Sequence, residues 1–361
     1  MMWVTILIFL AVLGILVFVH ELGHFLAAKA NGVRVDDFAF GYGPTIFKKK
    51  VGETTYALNI LPLGGFVKMY GEDASEQGPR SFLNLGAISK LQILFAGGLM
   101  NLLLAWVILT VLFVIGFDPL FGGVGQIPFE IKGQEINVNK ISVNSPAESS
   151  GMMANDKIIK VGDQKITSGL EFIQVISTKK GETTQVTVIR DGRENVLSLV
   201  PRVNPPAGEG AIGVTLESTG KVKAMHPWQA PIVALFGVGS FIIMSIKGFY
   251  DFVMQLFVHQ KVSEDVTGIV GVGALTGMAV KLGFSYLAQL VAIVSAGLGV
   301  INLMPILPLD GGHVLVLAIE KTFRRKLTEK QQGALFFVGL GFIIFVFLVV
   351  TYKDIIRFNL F

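Results

Sequence analysis

The sequence predicts a polytopic α-helical membrane protein with four transmembrane helices and an inserted α+β module. The composition is 52% hydrophobic and only 16% charged, and the mean hydropathy is +0.64. These values lie outside the range of soluble domains. Several charge-free stretches reach the roughly 20 apolar residues that are needed to cross a bilayer. Between residues 118 and 205, short alternating segments replace these apolar runs.

The apolar stretches define the candidate membrane spans. Their charge-free cores are residues 1–19, 91–117, 227–246, 282–309 and 333–352. Eight Lys and Arg residues lie within 29–90 and five within 314–331, so the positive-inside rule assigns both loops to the cytosol. The first span therefore runs from the outside to the cytosol. We expect transmembrane helices at about 2–28, 91–117, 282–309 and 333–352.

Charge and cysteine content exclude several classes of protein. The net charge is +4 and the isoelectric point is near 9.1, but the basic residues cluster in loops beside the spans, so no nucleic acid partner is predicted. The chain has no cysteine, which excludes disulfides, thiolate metal sites and a cysteine nucleophile. No Lys or Arg precedes Lys29, so residues 1–19 are interpreted as a retained span and not as a cleaved signal peptide.

A metal-binding motif, H-E-x-x-H, lies at the inner end of the first span. His20 and His24 are four residues apart, so on a helix their imidazoles share one face and can bind one cation. Glu21 stands beside them and can activate a bound water. A catalytic zinc normally takes three protein ligands and a water, so a third ligand must come from elsewhere. Ionisable groups inside a span are costly and by default indicate function.

The third ligand is expected near the end of the fourth apolar stretch. Asp310 follows two prolines there, and it is a carboxylate at membrane depth. Broken helices at such depth occur where the backbone lines a polar cavity. Asp310 is the favoured ligand because carboxylates commonly complete sites with two histidines, and His313 is its rival. His226 and His259 are interpreted as solvent-facing or interfacial residues.

The inserted segment 118–205 has the pattern of a small α+β module. Strands are predicted at 157–161, 184–190 and 194–200, and a helix at 170–178. The sequence SPAESSGMMANDKIIKVGDQKI, beginning at Ser145, resembles a bacterial PDZ domain. PDZ domains bind extended peptide ends by strand addition, so peptide ends are an expected partner of this module. A purely structural spacer is the alternative.

The chain as a whole resembles the site-2 protease family of intramembrane zinc metalloproteases, in its bacterial RseP/RasP-type group with a single PDZ domain. The H-E-L-G-H motif, the later N-x-x-P and D-G motifs and the intervening PDZ-like module carry this resemblance. It implies that zinc (Zn2+) is bound by His20, His24 and Asp310 and that Glu21 is the catalytic base.

The same resemblance assigns residues that bind substrate. Asn302 matches an asparagine that holds the substrate backbone. Residues of about 35–70 resemble a membrane-associated β-hairpin that presents the substrate as an added strand, with Gly64, Gly65 and Phe66 as substrate-binding residues. From the residues themselves, the alternating pattern and the Gly-Gly bend favour a hairpin.

The resemblance also implies an activity and a location. The expected function is hydrolysis of peptide bonds within transmembrane segments of single-pass proteins, such as anti-sigma factors or signal-peptide remnants, after a first cut outside the membrane. The expected location is the lipid bilayer of a bacterial cytoplasmic (inner) membrane, with the PDZ-like module on the extracytosolic side. A membrane metal transporter or channel is the alternative function, and replacement of Glu21 discriminates between the two.

The stretch 227–246 is predicted to lie at the outer interface, although it is long enough to cross. The metal motif and Asp310 can meet only if the first span and the span at 282–309 both run from the outside to the cytosol. The second span ends outside, so the chain must cross the membrane either twice or not at all between residues 118 and 282. The only second candidate, 266–280, is short for a crossing. The stretch 227–246 is therefore assigned to the interface.

The sequence as a whole divides into four regions. These are a first part of the membrane core at 1–117, the module at 118–205, a linker with interfacial helices at 206–281, and a second part of the membrane core at 282–361.

Overall fold

The computed structural model describes residues 2–72, 78–119, 131–166, 169–206, 209–258 and 267–357. The chain forms two compact units. The first unit contains Met1–Thr110 and Ala234–Phe361, and the second contains Val111–Val233. The first unit therefore holds the metal motif and Asp310, and the second holds the inserted module. His259 lies outside the described residues.

The helices account for most of the first unit. In chain order, the helices of both units are α1 (Met2–Ala30), α2 (Ala87–Ile115), α3 (Pro146–Ser149), α4 (Gly169–Thr178), α5 (Ala230–Phe257), α6 (Ile269–Leu282), α7 (Phe284–Asn302), α8 (Asp310–Phe323) and α9 (Glu329–Arg357). By length and composition, α1, α2, α5, α7 and α9 are each able to cross a membrane. The protein is therefore a multi-pass membrane protein, as predicted.

The fourth apolar stretch is not one continuous helix. We expected a span over 282–309, but α7 ends at Asn302 and a new helix, α8, begins at Asp310. Pro305 and Pro308 explain the difference, because proline has no N–H to donate and disfavours helical backbone in the residue before it. Asp310 is consequently in the first turn of a helix, where a negative charge is favoured by the helix dipole.

A curled β-hairpin follows α1. Its strands are β1 (Val35–Val51) and β2 (Thr54–Met69). Both strands bend, so that residues 37–40 of β1 pair on one side with 55–58 of β2 and on the other side with 65–68. Within the described part of the chain, the outer edge of the 65–68 segment has no strand partner. The predicted hairpin is present, and it offers one free strand edge.

The hairpin turn is fastened to the end of α1 by ion pairs. Glu53 accepts hydrogen bonds of 2.7 and 2.8 Å from the guanidinium of Arg80, and one of 2.5 Å from Nζ of Lys29. These hydrogen bonds, first from Arg80 and then from Lys29, lower the pKa of Glu53 to about 2. The turn is thus tied to the last turn of α1, close in sequence to the metal motif.

The inserted module is an antiparallel sheet with one main helix. Its strands are β3 (Ile131–Ile141), β4 (Lys157–Val161), β5 (Gln164–Lys165), β6 (Thr184–Arg190), β7 (Arg193–Leu199) and β8 (Val214–Val222). Their order is β7-β6-β4-β3-β8, and β5 pairs with β4. The core is built of buried apolar side chains, among them Ile136, Val138, Ile158, Phe172, Ile176, Val186 and Val188.

The module is longer than the sequence indicates. We placed its end at residue 205, but β8 pairs with β3 along most of its length, so residues assigned to the linker belong to the sheet. Phe117 and Val222 then pair with each other through backbone hydrogen bonds of 3.2 and 2.8 Å. The two ends of the module therefore lie side by side.

A buried ion pair fixes the segment before β4. The Asp156 side chain is fully buried and accepts two 2.7 Å hydrogen bonds from the guanidinium of Arg190 and one of 2.8 Å from the Met153 amide. Burial by itself raises the pKa of Asp156, but the hydrogen bonds from Arg190 and Met153 outweigh it and hold the pKa below its ordinary value. The pair is bidentate, the geometry that arginine and carboxylate favour.

We predict that Asp156→Ala lowers the free energy of unfolding of the module by about 2–3 kcal/mol, because it leaves Arg190 without its partner. The native pKa lies below the unfolded value of about 3.9, so the pair stabilises the module above pH of about 4. This contribution is lost as the pH falls through the native pKa. Hydrogen exchange of module amides in the whole protein measures the change.

Glu135→Ala is the matched control, because it removes an acidic partner from an ion pair with Lys157 that is exposed on both sides. It is expected to change stability by less than about 1 kcal/mol. Equal effects of the two substitutions would contradict a special role for the buried pair.

Candidate metal centre

Three side chains from two helices meet at one point. His20 and His24 lie one turn apart on α1, and their Nε2 atoms are 3.1 Å apart. Oδ2 of Asp310, at the start of α8, is 3.2 Å from each of these nitrogens. All three side chains are at most 21% exposed. The structure therefore brings together the three residues that were predicted as metal ligands.

The geometry of these three donor atoms fits a tetrahedral metal ion. Ligand atoms about 2.0–2.1 Å from one zinc ion at tetrahedral angles lie about 3.3 Å from each other, close to the separations found here. Oδ2 of Asp310 is buried and has no hydrogen-bond partner among the described residues. Two imidazoles and a carboxylate are also a donor set that zinc accepts. Both geometry and chemistry thus fit zinc.

Further groups orient the two imidazoles. Nδ1 of His24 is 2.8 Å from the backbone carbonyl of Ile93 on α2, so Nδ1 donates to this carbonyl and Nε2 is the nitrogen that faces His20 and Asp310. Nδ1 of His20 is 3.4 Å from the side-chain amide of Asn302. The amide oxygen and nitrogen are interchangeable by a flip, and with the oxygen facing His20 the amide accepts the Nδ1 proton. Asn302 was predicted to hold substrate backbone, and the structure places its side chain beside the candidate ligand His20.

Gly97 is a site residue that the sequence did not single out. A β-carbon placed there would lie 2.6 Å from Cε1 and 2.7 Å from Nε2 of His20, and would also meet Nε2 of His24. Any side chain at this position would therefore occupy the space of the imidazoles. The only sequence signal is the pair Gly97-Gly98 within an apolar helix, which by itself also fits close helix packing.

Glu21 lies next to the hairpin. A β-carbon placed at Gly65 would lie 3.1 Å from Cγ of Glu21, so the backbone of β2 passes directly over this carboxylate. The hydroxyl of Tyr42 donates a 3.0 Å hydrogen bond to the Gly65 carbonyl, and its ring stacks on Phe66. The predicted substrate residues Gly64, Gly65 and Phe66 are thus beside the metal centre.

His313, the rival ligand, is not a member of this group of side chains. Among the described residues, the group whose ligand atoms all lie within 4.8 Å is formed by His20, His24 and Asp310, without the rival ligand His313. His313 is exposed on α8. His226 is exposed beside Trp228, which agrees with its interpretation as a solvent-facing or interfacial residue.

Comparisons with known proteins show which family this chain resembles along its length. The model of peptidase family M50 matches residues 8–346. A Clostridium acetobutylicum protein that carries a zinc metalloprotease name is 32% identical over 99% of this chain and 98% of its own length. The zinc metalloprotease RasP of Oceanobacillus iheyensis is 26% identical over 98% of this chain and 99% of its own length.

Among solved structures, the PDZ domain of an SdrC-like protein from Listeria monocytogenes is similar at 23% identity, with a TM-score of 0.22. The similarity covers 24% of this chain and 92% of that domain. The family match extends over almost the whole chain, including both helices that carry the candidate ligands. The chain belongs to peptidase family M50.

Proposed function

We propose that this protein is an intramembrane zinc metalloprotease that hydrolyses peptide bonds within transmembrane segments of single-pass membrane proteins. The observation that carries the proposal is the convergence of His20, His24 and Asp310 beside Glu21, where both histidines and Glu21 lie on α1, a helix that is long and apolar enough to cross a membrane. The family and the names of the relatives support zinc as the metal and peptide hydrolysis as the reaction.

The proposed reaction is general-base hydrolysis. Zinc, when bound, supplies a Lewis acid for the scissile carbonyl and a water of lowered pKa. Glu21 accepts a proton from the attacking water as the water oxygen bonds to the carbonyl carbon. Glu21 then passes that proton to the amine nitrogen as the peptide C–N bond breaks. The histidines and Asp310 stay in place as ligands, and Asn302 keeps His20 oriented.

The hairpin is the proposed holder of the substrate. Its 65–68 segment has a free edge within the described part of the chain, and Gly65 adjoins Glu21. An extended substrate that pairs with this edge would bring its backbone to the metal centre by main-chain hydrogen bonds. A transmembrane helix must unwind before it can pair in this way. Segments rich in glycine or serine should therefore be cleaved best, because they form weak helices.

The proposed substrates are anti-sigma factors or signal-peptide remnants that have already been cut outside the membrane. The proposed location is a bacterial cytoplasmic membrane, crossed by α1, α2, α7 and α9. The PDZ-like module would face the outside and bind peptide ends or hold back substrates with intact outer domains. Basic residues beside the spans support this orientation.

We predict that Glu21→Gln binds zinc like the wild type and loses cleavage by at least about 100-fold, because the base is removed and the ligands stay. Asp310→Ala should lower both zinc content and cleavage. Purified variants in detergent, with a transmembrane peptide as substrate and metal analysis of the same samples, measure both quantities.

His313→Ala is the matched control for Asp310→Ala, since His313 lies on the same helix outside the ligand group. Full zinc content after Asp310→Ala, with loss after His313→Ala, would reverse the ligand assignment. Retained cleavage in Glu21→Gln would show that Glu21 is not the base. Absence of zinc-dependent cleavage in the wild type would favour a transporter or channel over a protease.

A second prediction concerns α5, which we propose to lie at the outer interface. The chain has no cysteine, so single cysteines replacing Gln229 and Gly248 report only on those positions. Both should react with a membrane-impermeant thiol reagent applied from outside, because neither end of the 227–246 stretch would reach the cytosol. Lys49→Cys in the hairpin is the control that should stay unlabelled until the membrane is permeabilised. Protection of Gly248→Cys alone would establish a crossing by α5.

A third prediction concerns the module as a filter. Phe117 and Val222 pair with each other, so residues 118–221 can be replaced by a short Gly-Ser linker without stretching the chain. The shortened protein should cleave short transmembrane peptides at the wild-type rate and should also cleave substrates with intact outer domains. Loss of cleavage of short peptides would show instead that the module is needed for assembly of the protein.

A further inference from the structure

The loop 303–309, which joins α7 to α8, carries the third ligand at its end. Asp310 is the first residue after this loop, so the path of the loop decides where the carboxylate lies. Among the described residues, the loop lies against α2 and against α9, besides the helices that it joins. The Leu303 side chain packs on α2, where a β-carbon placed at Gly98 would lie 2.8 Å from its Cγ. The second contact is with α9.

The contact with α9 at Gly339 is made by backbone atoms of the loop. A β-carbon placed at Gly339 would collide with the carbonyl oxygen of Leu307 and would lie 3.0 and 3.2 Å from its carbonyl carbon and its nitrogen. Leu307 is buried, and so is Gly339. The loop backbone therefore rests directly against the backbone of α9, in a notch that exists only because residue 339 has no side chain.

The loop has little freedom to move away from such a collision. On its other side it lies against the start of α8, where β-carbons at Gly311 and Gly312 would meet backbone atoms of residues 303–307. A side chain at 339 must therefore push the loop, and the loop ends at Asp310. Metal coordination tolerates displacements of only a few tenths of an ångström.

We infer that Gly339 is a positioning residue for the metal centre: α9 sets the place of the Asp310 carboxylate through the backbone notch at this glycine. The inference rests on the proposed zinc site and adds to it a residue that is 29 positions away in sequence from the ligand it serves. It also makes the last span part of the site, although α9 supplies no member of the ligand group found among the described residues.

The chain offers matched controls on the same helix. Gly333 and Gly341 also lie in α9, and β-carbons placed there meet nothing within 4 Å among the described residues. Substitution of any of the three glycines by alanine makes the same gain in helix propensity. A difference between them therefore reports the notch and not the propensity.

The test is the zinc dissociation constant of the whole protein in detergent, measured by competition with a chromogenic chelator. Gly339→Ala should weaken zinc binding by about 10-fold or more, in the range known for changes in groups that support metal ligands. Gly333→Ala and Gly341→Ala should leave it unchanged. Wild-type affinity in Gly339→Ala would overturn the inference.

A double substitution separates positioning from general damage. If Gly339 acts through Asp310, then Gly339→Ala should have no further effect on zinc affinity in an Asp310→Ala background, which has no donor atom at this position. Additive losses would overturn the inference. Unchanged zinc binding in Asp310→Ala alone would instead contradict the proposed site itself.

Poor recovery of folded Gly339→Ala also has a defined meaning. If Gly339→Ala weakens zinc binding by displacing Asp310, a higher zinc concentration should compensate for the lower affinity. Excess zinc during purification should therefore restore folded protein and cleavage. Failure of any zinc concentration to do so, with normal recovery of Gly341→Ala, would overturn the inference in favour of a purely structural role.

Discussion

The structure depends on holding three polar side chains at one largely buried point beside apolar helices. Imidazole and carboxylate groups lose their hydration there, and a buried charge without a partner costs several kcal/mol. Nε2 of His20 and of His24 face each other at 3.1 Å, and the hydrogen bond of His24 to Ile93 uses the other nitrogen of that ring. A metal ion among these three atoms would satisfy both imidazole nitrogens and the carboxylate oxygen at once. The arrangement therefore supports the proposed metal site on physical grounds alone.

Close backbone packing is the means by which the helices hold this point. In lipid there is no hydrophobic driving force between helices, so their association relies on van der Waals contact and small residues. A β-carbon at Gly98 would lie 2.9 Å from the Gly299 carbonyl oxygen, and one at Gly299 would lie 2.8 Å from that of Gly98. Gly23 meets the backbone of Ala96 in the same way. These contacts bring α2 against both α1 and α7, which places Ile93 and Gly97 at the imidazoles.

The sequence could predict those parts of the site that are local. The spacing of His20 and His24 is a property of one helix, and Asp310 was found from its position after prolines at the end of an apolar stretch. The carbonyl of Ile93, the bare backbone of Gly97 and the notch at Gly339 could not be found, because each depends on segments that are remote in sequence. The same reason explains the error at residue 205. Strand β8 belongs to the module only through its pairing with β3, and its own residues do not specify that partner.

The break between α7 and α8 shows why local and remote constraints have to act together. Asn302 and Asp310 both contact the imidazole of His20, at 3.4 and 3.2 Å, although they are eight residues apart. In a continuous helix they would be separated by about 12 Å along the axis, and they could not reach one imidazole. The prolines in between end the helix, which is a local effect, but they do not decide where the chain goes next. The notch on α9 and the glycines at the start of α8 determine the path of the loop. A β-carbon at any of these glycines would collide with the backbone that leads to Asp310.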